Sequence, residues 1–377
     1  MKLPADLDRA AAVLTIDLDA VVGNWRLLAR RVAPARCGAV VKADAYGLGA
    51  LPIVRALLQA GCREFFVALV DEGVRLRESL ADTWPDDARL HVLHGALPGA
   101  ERDCVAHGLV PVINSTDQLA RWRTLARACG HALPAALQVD TGMARLGLPP
   151  SDLAERLARP EGLAGVVPTL LMSHLVSAED RSDPVNWRQL DRFARLRRQL
   201  PQALGCLANS SGIFLGPDFH FDLVRPGAAL YGAAPMIGEP NPLRPVLRIK
   251  ARLIQWREIA PGEPVGYNGT WRARRRTRVA TVSVGYADGY LRSASNRAVL
   301  RLDGMALPLI GRVSMDTVTV DVTELAPERL APGTWFDVVD EVQDINALAA
   351  HAQTNAYEIL TSLGARYQRR YVGGVGL

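Results

Sequence analysis

The chain is 377 residues long, 49% hydrophobic and 22% charged, which excludes a disordered protein and suggests two domains or one barrel with an appendage. No apolar run reaches the roughly 18–20 residues that span a bilayer, and Met1–Ala12 is mixed in charge without an apolar stretch, so neither a membrane partner nor a signal peptide is expected. The net charge of +5 leaves nucleic acid open, but the most basic run, Arg272 to Arg278, lacks interleaved stacking aromatics; it reads as a solvated strand edge or turn, and no nucleic-acid partner is expected.

From about Leu14 to Tyr231, short apolar runs alternate with amphipathic stretches, the rhythm of repeated βα units. Strands are predicted at Leu14–Ile16, Cys37–Val41, Phe65–Val70, Leu90–Leu93, Leu109–Ile113, Ala135–Val139, Val166–Met172, Cys206–Ala208 and Leu223–Tyr231. Helical patterns lie between them at Ile53–Ala60, Val74–Leu80, Thr116–Ala128 and Trp187–Leu200, the last with Trp187, Leu190, Phe193, Ala194 and Leu196 at helical spacing. Roughly eight units in this span fit a TIM (β/α)8 barrel, although an open doubly wound sheet would alternate similarly. After the proline-rich stretch Pro235–Pro245, Leu247, Ile249, Ala251 and Leu253 alternate with Arg248, Lys250 and Arg252, which marks a strand with one buried face. Val318, Val320 and Val322 repeat the pattern, turns fall at Pro261-Gly262, Asn268-Gly269 and Asp303-Gly304, and one helix is expected near Ile345–Ala352. The predicted division is therefore an α/β barrel over residues 12–240 and a mostly β C-terminal domain over 241–377, on which residues 1–11 are assigned to pack. Cys37, Cys62, Cys104, Cys129 and Cys206 are scattered, with no CxxC pair; they read as reduced thiols of a cytoplasmic protein, and no metal is expected.

Lys42 ends the apolar run Val40-Val41 just before a glycine-containing turn, where a parallel barrel gathers its active-site groups. Low-dielectric walls there would lower its pKa and make the neutral amine available for Schiff-base chemistry. On this run alone, a lysine that caps the strand and reaches water is an equally good reading. Later strand ends add Asp140-Thr141-Gly142-Met143, followed by Arg145, suited to gripping a carboxylate, and then Ser173-His174. Asn209-Ser210-Ser211-Gly212 and Arg225-Pro226-Gly227-Ala228 supply hydroxyls, small residues and free N–H groups, the ingredients of a phosphate cradle.

The Lys42 segment, the Asp140 block, Asn209-Ser210, Arg225-Pro226-Gly227 and Gly311-Arg312-Val313-Ser314-Met315-Asp316 together resemble the alanine racemase family, in order, from about Leu14 to Gly364. The resemblance implies a pyridoxal 5′-phosphate-binding TIM barrel followed by a β domain. It also implies a head-to-tail homodimer in which each active site is completed by the partner's β domain, interconverting L- and D-alanine for peptidoglycan. It assigns Lys42 as the cofactor-bearing lysine and the base facing the D enantiomer, and Tyr267 as the opposite base. Arg225 would face the pyridine nitrogen with His174 beside it, while Tyr46, Asn209, Ser210, Gly227 and Ala228 would line the cofactor and its phosphate. Arg145 and the N–H of Met315 would take the substrate carboxylate, and Tyr286 would narrow the entrance. Asp316 would line the entry path, position Arg312 or form a structural ion pair.

Three positions depart from the family pattern: Leu48 and Gln138 stand where histidine and lysine are frequent, and Ala365 where some members have a phosphate-binding tyrosine, with Tyr367 nearby. Neutral Gln138 would hold Arg145 by a weaker hydrogen bond. A racemase of the same fold acting on serine or lysine is the nearest alternative. A related decarboxylase would need a glutamate where Arg225 stands, and a single-domain cofactor-binding barrel would lack the segment carrying Tyr267 and Met315.

Overall fold

The computed structural model describes residues 9–159 and 161–374. They divide into two compact units: Val22–Leu230 with Ala234–Leu243, and Tyr231–Ala233 with the described residues up to Val21 and from Arg244 onward. Strands and helices are numbered along the chain; β1 (Ala12–Asp17) belongs to the second unit.

The first unit is a closed parallel barrel. Its strands are β2 (Arg36–Cys37), β3 (Ala39–Val40), β4 (Glu64–Val67), β5 (Arg89–Val92), β6 (Leu109–Ile113), β7 (Leu133–Gln138), β8 (Val166–Met172), β9 (Leu204–Cys206) and β10 (Leu223–Val224). β3 to β9 pair in sequence order. β10 pairs in parallel with β2, and the seam continues through Gly38 N–H to Val224 O at 3.0 Å and Val40 N–H to Pro226 O at 2.8 Å. On its other side, Asp222 N–H reaches Gly205 O at 3.0 Å and Arg225 N–H reaches Ala208 O at 2.9 Å, so β10 closes the ring between β9 and the β2–β3 strand. Every residue of β4 and of β6 is buried, as expected of strands covered on both faces. Val40, Phe66, Val110, Val112, Ala136, Leu170, Met172, Cys206 and Leu223 fill the interior. Helices follow the strands, including α1 (Leu18–Val32), α2 (Ala50–Gln59), α3 (Val70–Ser79), α4 (Glu101–Ala106), α5 (Thr116–Cys129), α6 (Pro150–Leu157) and α7 (Val185–Gln199).

Three predictions change within this unit: the strand predicted at Phe65–Val70 ends at Val67, and Val70 already begins α3. In α7 the buried positions are Asn186, Gln189, Phe193 and Leu196, whereas Trp187 is 54% exposed, its ring edge against Phe219. Gln189 takes the inner position because its amide finds polar partners at the barrel mouth. The strand predicted to run from Leu223 to Tyr231 ends at Val224, and Ala228–Tyr231 forms a 3-10 turn.

The second unit is built on β11 (Leu247–Ile259), whose alternating burial follows the sequence pattern. The next strands are β12 (Pro264–Val265), β13 (Trp271–Arg272), β14 (Thr277–Val282), β15 (Val299–Leu302), β16 (Met305–Pro308), β17 (Val318–Asp321), β18 (Trp335–Val339) and β19 (Gln368–Val372). β1 does not open the barrel, as the βα rhythm suggested. It lies antiparallel to β11 (Leu14 opposite Ile249) and parallel to β19 (Leu14 opposite Arg369), with Leu14 and Ile16 fully buried. Of the N-terminal segment assigned to this domain, residues 1–8 lie outside the described residues, while the carbonyls of Ala10 and Ala11 accept bonds from Arg252. The predicted helix Ile345–Ala352 is present, capped by Asp344, and a second, Ala356–Ser362, follows it. Arg274–Arg276 form the exposed turn into β14, and Arg275 and Arg276 pair with Glu324 and Glu258. All five cysteines are free thiols, only Cys129 exposed, and among the described residues no helix is long and apolar enough to cross a membrane.

Candidate active site

Lys42 stands two residues beyond the end of β3, at the C-terminal mouth of the barrel, and is partly buried. The four residues after it, Ala43, Asp44, Ala45 and Tyr46, all have positive φ of 52–55°, a left-handed turn without glycine. Each such residue costs about 1–2 kcal/mol, so the turn must be held from outside. Glu72, in the first turn of α3, does so. Its carboxylate accepts the N–H of Ala43 at 2.6 Å and those of Ala68 and Leu69 at 2.7 and 3.1 Å. Asp44 accepts the N–H of Ala50 at 2.7 Å, tying the turn to α2. Burial pulls the pKa of Lys42 down, Arg145 and Arg225 add to this, and Glu72 opposes it.

Arg225 follows β10 and is 3% exposed. Its guanidinium is committed on three sides: Nη1 donates to the carbonyl and Sγ of Cys206 at 3.0 Å each, and Nη2 to Ser173 O at 2.8 Å and His174 Nδ1 at 3.5 Å. His174 is held neutral, its pKa pushed down to about 3 by burial and by the facing charges of Arg225, Arg145 and Lys42. Beneath it, Thr141 Oγ1 meets Ser173 Oγ at 2.8 Å, and Gln189 donates to Thr141 Oγ1 and His174 O while accepting Val176 N–H. This is the polar core that draws Gln189 inward.

Ser210 and Gly227 meet at the next strand ends. Ser210 Oγ accepts the N–H groups of Gly227 and Ala229 at 3.0 and 3.2 Å. The N–H of Ala228 opens the 3-10 turn, where no intrahelical carbonyl can take it. A Cβ on Gly227 would lie 2.4 Å from Tyr46 Oη, so only glycine lets that hydroxyl close over the backbone. Two hydroxyls and converging N–H groups make a donor set that fits a phosphate. Asn209 shapes the loop behind them, its Oδ1 accepting Gly212 N–H at 2.9 Å and its amide donating to Leu175 O at 3.5 Å.

Asp140 accepts the N–H groups of Gly142, Met143 and Ala144, shaping the loop that presents the exposed Arg145. Contrary to the expectation from its position, Gln138 does not hold Arg145. Its amide donates to Leu146 O at 3.0 Å, because the neutral side chain finds a backbone carbonyl within the same loop.

In the β unit, Tyr267 lies at the tip of the β12–β13 hairpin rather than in a strand and is 66% exposed. Tyr286 and Met315 are 44% and 53% exposed, on segments joined by Tyr286 N–H to Ser314 O at 3.0 Å and Ala287 N–H to Met315 O at 2.9 Å. Asp316 pairs with Arg366 at 2.5 Å and not with Arg312. Tyr367 is buried beside Asp288, Tyr290 and Arg366, and its hydroxyl pKa is raised by that burial.

Family models for the alanine racemase N-terminal domain and the alanine racemase C-terminal domain match residues 16–235 and 246–371. The chain belongs to the alanine racemase family. It is 50% identical to an alanine racemase of Rhodospirillum rubrum over 98% of this chain and 97% of that one. It is 45% identical to a catabolic alanine racemase of Mesorhizobium japonicum, over 98% and 96% of the two chains. The crystal structure of alanine racemase from Bartonella henselae with covalently bound pyridoxal phosphate is similar at a TM-score of 0.90 and 42% identity, covering 96% of this chain and 100% of that one. The biosynthetic alanine racemase of Pseudomonas aeruginosa gives 0.87 and 34%, over 97% and 100%.

The alanine racemase pattern did not point to Glu72, Gln189, Cys206 or Arg366. Glu72 occupies the third helical position of α3, but with Leu69 at the N-cap the serine or threonine of a capping box is missing. Gln189 escapes the helical pattern because the apolar spacing counts Trp187, which is exposed, on the inner face. Arg366 carried no local signal: its partners, Asp288 and Asp316, are distant in sequence.

Proposed function

We propose that this chain is a pyridoxal 5′-phosphate-dependent enzyme that interconverts L- and D-alanine with two bases on opposite faces of the substrate Cα. The observation that carries this reading is the pairing, at one barrel mouth, of Lys42 with its depressed pKa and the immobilised Arg225, beside a donor set suited to phosphate. When bound, the cofactor supplies an electron-withdrawing ring that makes the Cα proton removable.

Lys42 holds the cofactor and moves a proton at one face of Cα, its turn kept in place by Glu72. Tyr267 of the partner subunit faces the other side, the active form being a head-to-tail homodimer. The exposure of Tyr267, Tyr286 and Met315 supports this, since exposed aromatic and apolar side chains suit a surface that a second copy covers. Ser210, Tyr46 and the N–H groups of Gly227 and Ala228 bind the phosphate, Gly227 N–H turning to it from Ser210 Oγ. A guanidinium stays charged in proteins, so Arg225 would donate toward the ring nitrogen without protonating it. That moderates electron withdrawal and favours simple proton return over competing chemistry. Arg145 and the Met315 N–H take the carboxylate, and the Tyr286 ring limits the room for a side chain beyond methyl.

The D-alanine formed would supply peptidoglycan in the cytoplasm. The 45% identical relative named catabolic favours a second use of the same reversible reaction, consumption of alanine. The test is chiral analysis after incubation of the purified protein with cofactor and L-alanine, L-serine or L-lysine. D-alanine should form fastest; its absence overturns the reading, and faster turnover of serine or lysine reassigns the substrate.

A further inference from the structure

The segment that carries Tyr286 and the loop that carries Met315 contain no regular strand, yet their separation sets the distance between entrance ring and carboxylate donor. They are already in backbone contact: a Cβ on Gly285 would lie 2.3 Å from Met315 O and 2.4 Å from Ser314 O. One side chain spans both. Arg366 Nε lies 2.9 Å from Asp288 Oδ1 and Nη2 3.5 Å from Oδ2, while Nη1 lies 2.5 Å from Asp316 Oδ1. Asp288 is almost fully buried, and its Oδ2 accepts the N–H of Gly285 at 2.8 Å, the first residue of the Tyr286 turn. Asp316 directly follows Met315 in the other loop. A guanidinium suits this bridging position because its planar fork presents several donors in fixed directions, which an ammonium cannot do.

We propose that Arg366 is a positioning residue that sets the selectivity of the alanine site by locking the Tyr286 turn to the Met315 loop. The inference rests on the function proposed above for Tyr286 and Met315. With the clamp present, the ring and the Met315 N–H are held at one spacing, and a side chain longer than methyl meets the ring. Without it, the two loops separate more freely, the carboxylate contact weakens and the entrance relaxes. Lys42 and Tyr267 are untouched, so the effect falls on binding and discrimination more than on turnover.

The experiment compares holoenzyme of the wild type, R366M, R366K and D316N for kcat and KM on L-alanine and L-2-aminobutyrate. Amide hydrogen exchange of peptides covering residues 284–290 and 312–318 is measured in parallel. R366M should raise the alanine KM about tenfold with kcat within about threefold, and lower the alanine preference about tenfold, in the range that one methylene commands. R366K, which keeps the charge, should recover part of both losses. D316N opens only the outer link and leaves the buried Asp288 paired, so it should shift preference in the same direction without a large fall in Tm. Exchange at both peptides should rise together in R366M. Unchanged exchange overturns the clamp whether or not the enzyme is active. Faster exchange with unchanged KM and preference overturns its part in selection, as does an equal loss of kcat and Tm in all three variants. A wild type that forms no D-alanine instead overturns the underlying reading and, with it, the role in selection, while exchange still judges the clamp.

Discussion

His174 is the residue whose environment most alters its chemistry. Burial and three facing cations keep it neutral down to about pH 3, so its Nδ1 remains an acceptor for Arg225 at any working pH. The linkage has a definite sign. The unfolded chain, with a histidine near the ordinary 6.5, binds a proton that the folded chain refuses between about pH 3 and 6.5. Stability from this group is therefore complete above about pH 6.5 and is lost as the pH falls toward 3. The urea midpoint should drop between pH 7 and pH 5 by less in His174→Gln than in the wild type; equal drops would show that His174 is not the group responsible. At this scale the sequence was informative where a side chain follows an apolar strand, as at Lys42, His174 and Arg225. It was uninformative where the partner lies on another element, as with Glu72 of α3, which holds the turn after Lys42 through Ala43 N–H.

At the scale of elements, the turn Ala43–Tyr46 is the costly one, four left-handed residues that hydrophobic patterning cannot reveal. Glu72 offsets that cost by accepting three N–H groups from two segments. Glu72→Ala should leave these donors without an acceptor, lowering stability by about 1–3 kcal/mol and kcat about tenfold as Lys42 loses its fixed position. Glu72→Gln keeps an acceptor at only one end and sets an NH2 against N–H at the other, so it should recover only part of the stability; a Glu72→Ala variant equal to the wild type in both would contradict this account. The barrel strands themselves were legible because strands buried on both faces read as unbroken apolar runs. β1 was legible as a strand but not as to its sheet, since its partners, β11 and β19, lie more than two hundred residues away in the chain. The limits of β10 were missed because the run from Pro226 to Tyr231 is as apolar as a strand, while Ala228–Tyr231 folds into a 3-10 turn.

At the scale of the whole molecule, the proposed mechanism depends on two bases that belong to different domains and, by the proposed assembly, to different chains. The β unit presents Tyr267 at a hairpin tip, well exposed, where a partner chain could reach it. No local pattern in the sequence announced that role; it came only from the family resemblance spanning both domains. The most direct test is to replace Tyr267 by phenylalanine and follow exchange of the Cα hydrogen with solvent, starting separately from L-alanine and from D-alanine. The two-base account predicts that exchange from the L enantiomer falls far more than exchange from the D enantiomer, which Lys42 still serves. Equal losses from the two enantiomers would contradict it.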